Sequence, residues 1–369
     1  MTQNESIYPA LKPGLILIPL NSTEFYLGEA GDGLFIPSNP YLTIARGCDG
    51  KESTNSLALQ CGIPHELVID FIEELKSRNY IECRSFPTRD PGLDELARHR
   101  RERQSPELEL YTWRSATSDG GETEVSDRKL FPIVIFGQNR LARTLLANLQ
   151  ASGFSQTRII SPISDAGARI TARDICGIIT RPVDIGRKVS EFHKEISMNA
   201  QLTQYSTGPS VSAGQQWGDT HQSSGPQLLI STTTLASDQV QQWMSEGIPH
   251  LQLSQCDAHS IDIGPLVIPG ESACLNCVQL HGRDALPPFI SLATLGSLVN
   301  QRRRELTAAS TSFVAGVVTP YICEFAARGE SALIGRSITI NLLEPLHNIG
   351  HHHWNIHPEC GCGLSNALV

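Results

Sequence analysis

Short apolar runs open the chain. L-I-L-I-P-L (15–20), E-F-Y-L-G (24–28) and G-L-F-I-P (33–37) are separated by Asn, Ser, Gly and Asp, the residues of tight turns, and predict three small strands. The period then lengthens. N-P-Y-L-T-I-A-R-G (39–47) predicts a short helix closed by Gly47, and Ser53 or Thr54 caps a second that ends at Gly62. Pro64 suits a first helical turn, and Leu67, Val68, Phe71, Ile72 and Leu75 recur at helical spacing, so a third helix buries one face. After Asn79, Y-I-E-C-R (80–84) returns to strand.

Residues 86–129 carry Pro, Gly, Asp and Ser around the charged burst R-H-R-R-E-R (98–103), and read as a linker holding one short helix with a solvated face. From about residue 130 strand and helix alternate. F-P-I-V-I-F-G is an apolar strand, N-R-L-A-R-T-L-L-A-N-L-Q-A-S-G a helix with its stop, and T-R-I-I-S the next strand. A helix at 185–199, a strand at 227–231, a helix at 236–246 and a strand at 249–254 follow, with a polar loop rich in Ser, Thr, Gln and Gly at 203–227. This alternation predicts an α/β fold with a Rossmann-like doubly wound sheet, helices on both faces. The segment 313–327 is apolar nearly all round, predicting a helix buried in a core or subunit contact and kinked by Pro320.

Strands, three helices and a terminal strand in residues 1–85 form a winged helix-turn-helix pattern, for which DNA binding is the first reading. Charge turns the argument. Residues 1–83 hold five Lys or Arg against eleven Asp or Glu, and the third helix carries Glu66, Asp70, Glu73 and Glu74. Phosphate contacts supply most non-specific affinity, so an acidic recognition helix is repelled at the first step, and the whole chain at -9 points away from nucleic acid. A small module of this kind can instead accept an extended peptide as an added strand. The candidate edge is Leu34, Phe35 and Ile36, beside the helix bearing Phe71 and Leu75. An accessory domain without a ligand is the plainer alternative.

Length and a 40% hydrophobic content allow more than one sizeable core. The chain has no apolar run long enough to span a membrane, and the start M-T-Q-N-E-S lacks the features of a signal peptide, so a soluble cytoplasmic protein is expected.

Four cysteines stand in two tight pairs, Cys274 with Cys277 in C-L-N-C and Cys360 with Cys362 in C-G-C. Two such pairs complete the tetrahedral sulfur shell that Zn²⁺ prefers. C-x-x-C also occurs as a redox pair, but the second pair, flanked by Gly361 and Gly363, favours one closed structural zinc site. A closed shell leaves no position for water, so its work is to staple the C-terminal region to a loop upstream. The other six cysteines show no pairing logic, as in a reducing compartment. With four thiolates available, His281 and His357 are expected to support the site or lie on the surface, and H-H-H-W (351–354) is expected on a turn or exposed edge.

The first strand-to-helix turn of such a sheet normally cradles a phosphate. Here it reads G-Q-N-R-L-A. Gly137 is kept, but Asn139 and Ala142 replace later glycines, and the second strand ends in S-P-I-S without an acid for a ribose. Arg140 and Arg143 are candidates to meet an anion, with solvation of a helix face as the alternative. These departures argue against ATP.

The order of this unit, then I-G-P-L-V-I-P-G-E-S-A-C-L-N-C-V-Q-L-H (263–281), a helical stretch and H-P-E-C-G-C-G, resembles the ThiF-type, ubiquitin-activating-enzyme-like superfamily. More narrowly it is similar to the ThiF-like partner proteins of thiazole and oxazole peptide (bacteriocin-type) biosynthesis, in which a PqqD-like recognition element precedes the sheet. The resemblance implies a zinc-stapled domain over 130–369 that has kept its architecture and lost its adenylating chemistry, with S-T-T-T-L-A-S (231–237) lacking the acid that holds magnesium. It implies a homodimer and a non-catalytic scaffold that binds a leader peptide and presents the precursor to a YcaO-type cyclodehydratase. A divergent ATP-dependent adenylating enzyme and a winged-helix regulator are the competing readings.

Overall fold

Strand order separates the chain into a small-sheet unit and a large-sheet unit. The computed structural model describes residues 6–88, 95–114, 118–161, 167–176, 179–203, 227–233, 235, 237–255, 259–285 and 305–363. Two units divide it, residues 1–126 and 127–369.

In the first unit β2 (Ile16–Pro19), β3 (Glu24–Glu29) and β4 (Asp32–Pro37) form an antiparallel meander in the order β2-β3-β4. All three lie where the apolar runs predict them. β1 (Tyr8–Leu11), which the sequence reading omits, pairs antiparallel with β5 (Ile81–Arg84), Pro9 opposite Cys83. Pro9 lacks an N–H but still accepts the Gly50 N–H at 2.8 Å through its carbonyl, on the side of β1 away from β5. Helices α1 (Tyr41–Gly47), α2 (Thr54–Cys61) and α3 (His65–Ser77) follow. The Ser53 hydroxyl accepts the Ser56 N–H at 3.2 Å to start α2. Phe25, Leu27, Ile44, Leu57, Val68, Ile72 and Leu75 fill one core between meander and helices.

The stretch read as a linker contains more structure than expected. α4 (Glu95–Arg114) is a 20-residue helix and α5 (Glu122–Asp127) a short one. Tyr111 and Thr112 are buried, and the Trp113 indole donates to the Pro13 carbonyl at 3.0 Å. Few apolar positions mark α4, and Pro106 interrupts the sequence pattern, so the anchoring contacts are visible only in three dimensions.

The second unit is built on a seven-stranded sheet in the order β12-β11-β10-β9-β8-β6-β7. β7 (Thr157–Ile160), β6 (Ile133–Phe136), β8 (Leu228–Ser231) and β9 (His250–Gln255) run parallel. β10 (Ser260–Val267), β11 (Arg336–Asn341) and β12 (Ile349–His353) continue it antiparallel. The sheet is therefore mixed, wider than the parallel alternation predicts. Gly264 in β10 has φ +99, and a Cβ there would lie 2.5 Å from the Arg336 carbonyl oxygen, so only glycine lets β11 approach here, where β10 also shifts register against β9.

α6 (Arg140–Ala151), α7 (Val189–Thr203) and α8 (Ser237–Ser245) connect the parallel strands, and α9 (Leu275–Ala285) and α10 (Ala308–Arg328) follow β10. α10 confirms the apolar segment and extends it. Val314, Ala315, Val318 and Ile322 are buried, while Ser312, Gly316 and Pro320, four residues apart, share the exposed side. Pro320 thus loses its hydrogen bond where water can satisfy the freed carbonyl. The polar stretch 203–227 falls almost wholly outside the described residues. No helix among the described residues is long and apolar enough to cross a membrane.

Candidate metal centre and strand-end turn

The end of β10 turns through Ile268–Ser272, where the Ser272 hydroxyl accepts the Ile268 N–H at 2.8 Å. This turn delivers Cys274 just before α9 and Cys277 in its first turn. Cys360 and Cys362 arrive from the chain beyond β12, where the Cys360 N–H donates to the His357 carbonyl at 2.9 Å. The four sulfurs converge. Sγ–Sγ separations are 3.7 Å for Cys274 and Cys277, 3.6 Å for Cys274 and Cys360, and 3.4 Å for Cys277 and Cys362, and all four lie within 4.8 Å of one another.

A disulfide needs about 2.05 Å, so these are not bonded pairs. Four sulfurs at about 2.3 Å from a tetrahedral zinc would be about 3.8 Å apart. The cluster fits that shell. Val267 and Ala273 are buried against it, with Leu280 and Trp354 packed alongside. Burial pushes the Cys274 thiol up to about 11. Cys360 is also burdened by burial, yet the Cys362 N–H and the Asn276 amide, at 3.2 Å, bring it down to about 7, giving the group a thiolate to start from. The residues can hold a metal ion.

Both nearby histidines are occupied otherwise. His357 gives its backbone N–H to Cys277 Sγ at 3.4 Å, and its Nδ1 accepts the Glu359 N–H at 3.1 Å. The ring proton is therefore on Nε2, which donates to Asp284 at 2.8 Å. His281 meets the Asn355 carbonyl through Nε2 at 2.9 Å and packs edge-on against His357 at 4.8 Å. They brace the loop that carries the thiols. The histidines at 351–353 lie on β12, an edge strand, and are exposed, with His352 stacked on Trp354.

β6, β7 and β8 are parallel neighbours, and in such sheets a ligand usually sits beyond the carboxyl ends of the strands. Gly137 ends the first strand with φ +147, and a Cβ on it would lie 2.2 Å from Thr232 Oγ1, so the tight turn is real. Asn139 caps α6: its Oδ1 accepts the Ala142 N–H at 2.9 Å while its Nδ2 donates to the Thr232 carbonyl at 2.6 Å. That side chain stands where a glycine would let a phosphate approach. The Arg140 N–H donates to Glu305 Oε2 at 3.3 Å, and the Arg140 guanidinium to the Leu306 carbonyl at 3.0 Å.

Arg143 corrects the sequence reading, which left it to meet an anion or water. It is fully buried, donating to Asp174 Oδ1 at 3.2 Å, His193 Nε2 at 3.1 Å and the Gln138 carbonyl at 2.8 Å. His193 Nε2 accepts, so Nδ1 carries the proton and faces Ser161 Oγ at 3.3 Å. Ser161, His193 and Asp174 thus look like a nucleophile set but cannot act as one, because the imidazole presents a donor to the hydroxyl it would have to deprotonate. Sequence inspection missed Asp174, His193, Thr232 and Glu305; only T-A-R-D (171–174), a capping box around a short turn, was a local signal.

In the first unit β4 is an edge of its meander. Leu34 is half-buried opposite Leu27, Phe35 is 69% exposed with its ring edge-on to Tyr26 at 5.4 Å, and Ile36 is buried. Phe71 and Leu75 are core residues of α3, Phe71 tilted against Tyr41 at 5.0 Å. Of these five side chains, Phe35 and Leu34 are reachable from outside.

No protein-family model and no curated protein matches this sequence. Solved structures do. A structure of E. coli MccB with AMPCPP and selenomethionine-labelled MccA superposes with TM-score 0.64 at 14% identity, covering 96% of this chain and 99% of that one. The microcin C7 biosynthetic enzyme MccB in complex with N-formylated MccA gives the same values. The heterocyclase TruD matches at TM-score 0.54 and 14% identity over 98% of this chain, which spans 44% of TruD's length. At such identity the likeness establishes the fold: this chain has the mixed α/β architecture of MccB along nearly its whole length.

Proposed function

We propose that this chain is a leader-peptide-binding scaffold in the biosynthesis of a ribosomally made, modified peptide. The carrying observation is a fold shared over 96% of the chain with an enzyme whose structures include its MccA peptide, together with an edge strand that presents Phe35. The first unit serves as the winged-helix, PqqD-like element. A leader adds to β4 as a fourth strand, drawing affinity from main-chain hydrogen bonds and selectivity from the apolar side chains it lays beside Leu34 and Phe35. The second unit, a Rossmann-like ThiF-type domain, is stapled by a structural zinc ion on Cys274, Cys277, Cys360 and Cys362. It works as a homodimer and presents the bound precursor to a YcaO-type cyclodehydratase.

Calorimetric titration with the leader encoded beside this gene tests the reading. Binding in the micromolar range is expected, with Phe35→Asp weakening it at least tenfold, about 1.4 kcal/mol, and leaving thermal stability within about 0.5 kcal/mol. Silence at tens of micromolar for several candidate leaders counts against it.

An adenylating role is the second reading, favoured by the MccB structure with ATP, which superposes over 96% of this chain. ATP-pyrophosphate exchange with the full precursor separates the two: exchange above background assigns the chain a catalytic role. DNA binding has the exposed acidic residues Glu66, Asp70, Glu73 and Glu74 of α3 against it.

A further inference from the structure

We infer that Glu305 is a resident anion: its carboxylate takes the place at the N-terminus of α6 that a nucleotide phosphate would need, closing this turn to polyphosphates from within. A helix N-terminus carries partial positive charge and free N–H donors, so it attracts an anion from whatever source. In this chain two of those donors are already assigned. The Ala142 N–H goes to the Asn139 side chain at 2.9 Å, and the Arg140 N–H to Glu305 Oε2 at 3.3 Å.

The carboxylate is held there. Leu306, its neighbour, accepts from the Arg140 guanidinium at 3.0 Å, and Thr307 then caps α10 by accepting the Ser310 N–H at 3.1 Å. Glu305 is therefore anchored on its C-terminal side, by the two residues that follow it. Opposite it, Asn139 is tied to the Thr232 carbonyl at 2.6 Å. A phosphate entering this turn would meet a fixed like charge where the helix would otherwise welcome it, and the repulsion acts in a partly buried setting where water screens poorly.

Several buried polar atoms in this turn remain unsatisfied, Arg140 Nε among them. The Gln138 side chain is 4% exposed, and neither its amide nitrogen nor its oxygen has a partner; Thr232 Oγ1 is likewise unpartnered. Uncompensated buried polar atoms cost stability and are uncommon. They mark this turn as the remnant of a polar site whose charged occupant has been exchanged for a side chain of the protein itself. The inference stands apart from leader binding, since a failed leader titration leaves it untouched.

The test uses full-length protein with tripolyphosphate and Mg·ATP as probes, followed by calorimetry and thermal unfolding. Wild type is expected to show no saturable binding up to about 1 mM and no rise in Tm. Glu305→Ala and the near-isosteric Glu305→Gln, which keeps an acceptor for the Arg140 N–H but drops the charge, are expected to gain tripolyphosphate affinity at least about tenfold. A second substitution, Asn139→Gly on the Glu305→Gln background, should raise it further by clearing the approach. Wild-type binding tighter than about 100 µM overturns the inference whatever the variants do, as does a folded Glu305→Gln protein whose affinity is unchanged.

Discussion

Cys277→Ser should leave the protein without its metal and cost more than about 4 kcal/mol in the stability of the second unit, among the largest effects of any single change. Cys277 is fully buried, its sulfur faces Cys274 and Cys362, and it receives the His357 N–H, so serine shortens the reach and leaves three thiols around an incomplete shell. The wild type is expected to carry one zinc per chain by elemental analysis. Chelator treatment should release it and expose the chain beyond β12 to protease, because closing the loop between the two pairs contributes binding energy as folding energy. Cys48→Ser is the matched control. Cys48 is a buried cysteine of the first unit, pushed up to about 12 by burial and neighbouring thiols, and its loss should leave zinc content unchanged. Metal-free wild-type protein of undiminished stability would sink the assignment.

Arg143→Ala comes next, at about 3–5 kcal/mol. The substitution removes a fully buried guanidinium that joins Asp174, His193 and the Gln138 carbonyl, and strands Asp174 as a buried charge without its partner. The same network sets an acid sensitivity. Burial, then the charge of Arg143, drives His193 down to about 3, with Asp174 opposing only in part. His193 is thus neutral in the fold and protonates near 6.5 when unfolded, so its contribution is complete above about pH 6.5 and erodes as pH falls toward about 3. Between those limits the unfolded chain binds more protons, and stability should fall by up to about 1.4 kcal/mol per pH unit from this group. Asp174 acts in the same direction lower down. Although burial works against its charged form, the Thr171 donors and then Arg143 hold its carboxyl below the usual range, so its share is lost only as the pH drops under about 4. Denaturant titrations from pH 7 to pH 4 should show the slope in wild type and a shallower one in His193→Phe. Equal slopes would remove His193 from the account.

Much of this was legible locally. The three meander strands, helices α2 and α3 and the units from β6 to β9 follow from apolar period and turn residues, since hydrogen bonding within a helix and the pleat of a strand act over a few residues. β11 carries the alternation I-T-I, but nothing near it names the partner strand, and β10 hid behind Gly264 and Pro265. α4 failed for a different reason: its anchors, Tyr111 and Trp113, are too few to draw an apolar stripe, and one of them bonds to Pro13, one hundred residues away. Phe71 and Leu75 show the limit of a face argument, because the period that identified a buried face could not say whether a peptide or the protein's own core would cover it.

By itself, the order of residues determined which thiols could share an ion, because two closely spaced pairs need only one closure to make four ligands. It also determined that the phosphate turn was altered, since a missing glycine is a local steric fact. Only the tertiary structure decided what fills that turn. Arg140 and Glu305 are 165 residues apart, and Arg143 is buried because α7 and the turn at 171–174 bring His193 and Asp174 to it. Burial and charge pairing depend on long-range packing, and a guanidinium reads identically in sequence whether water, phosphate or its own chain receives it.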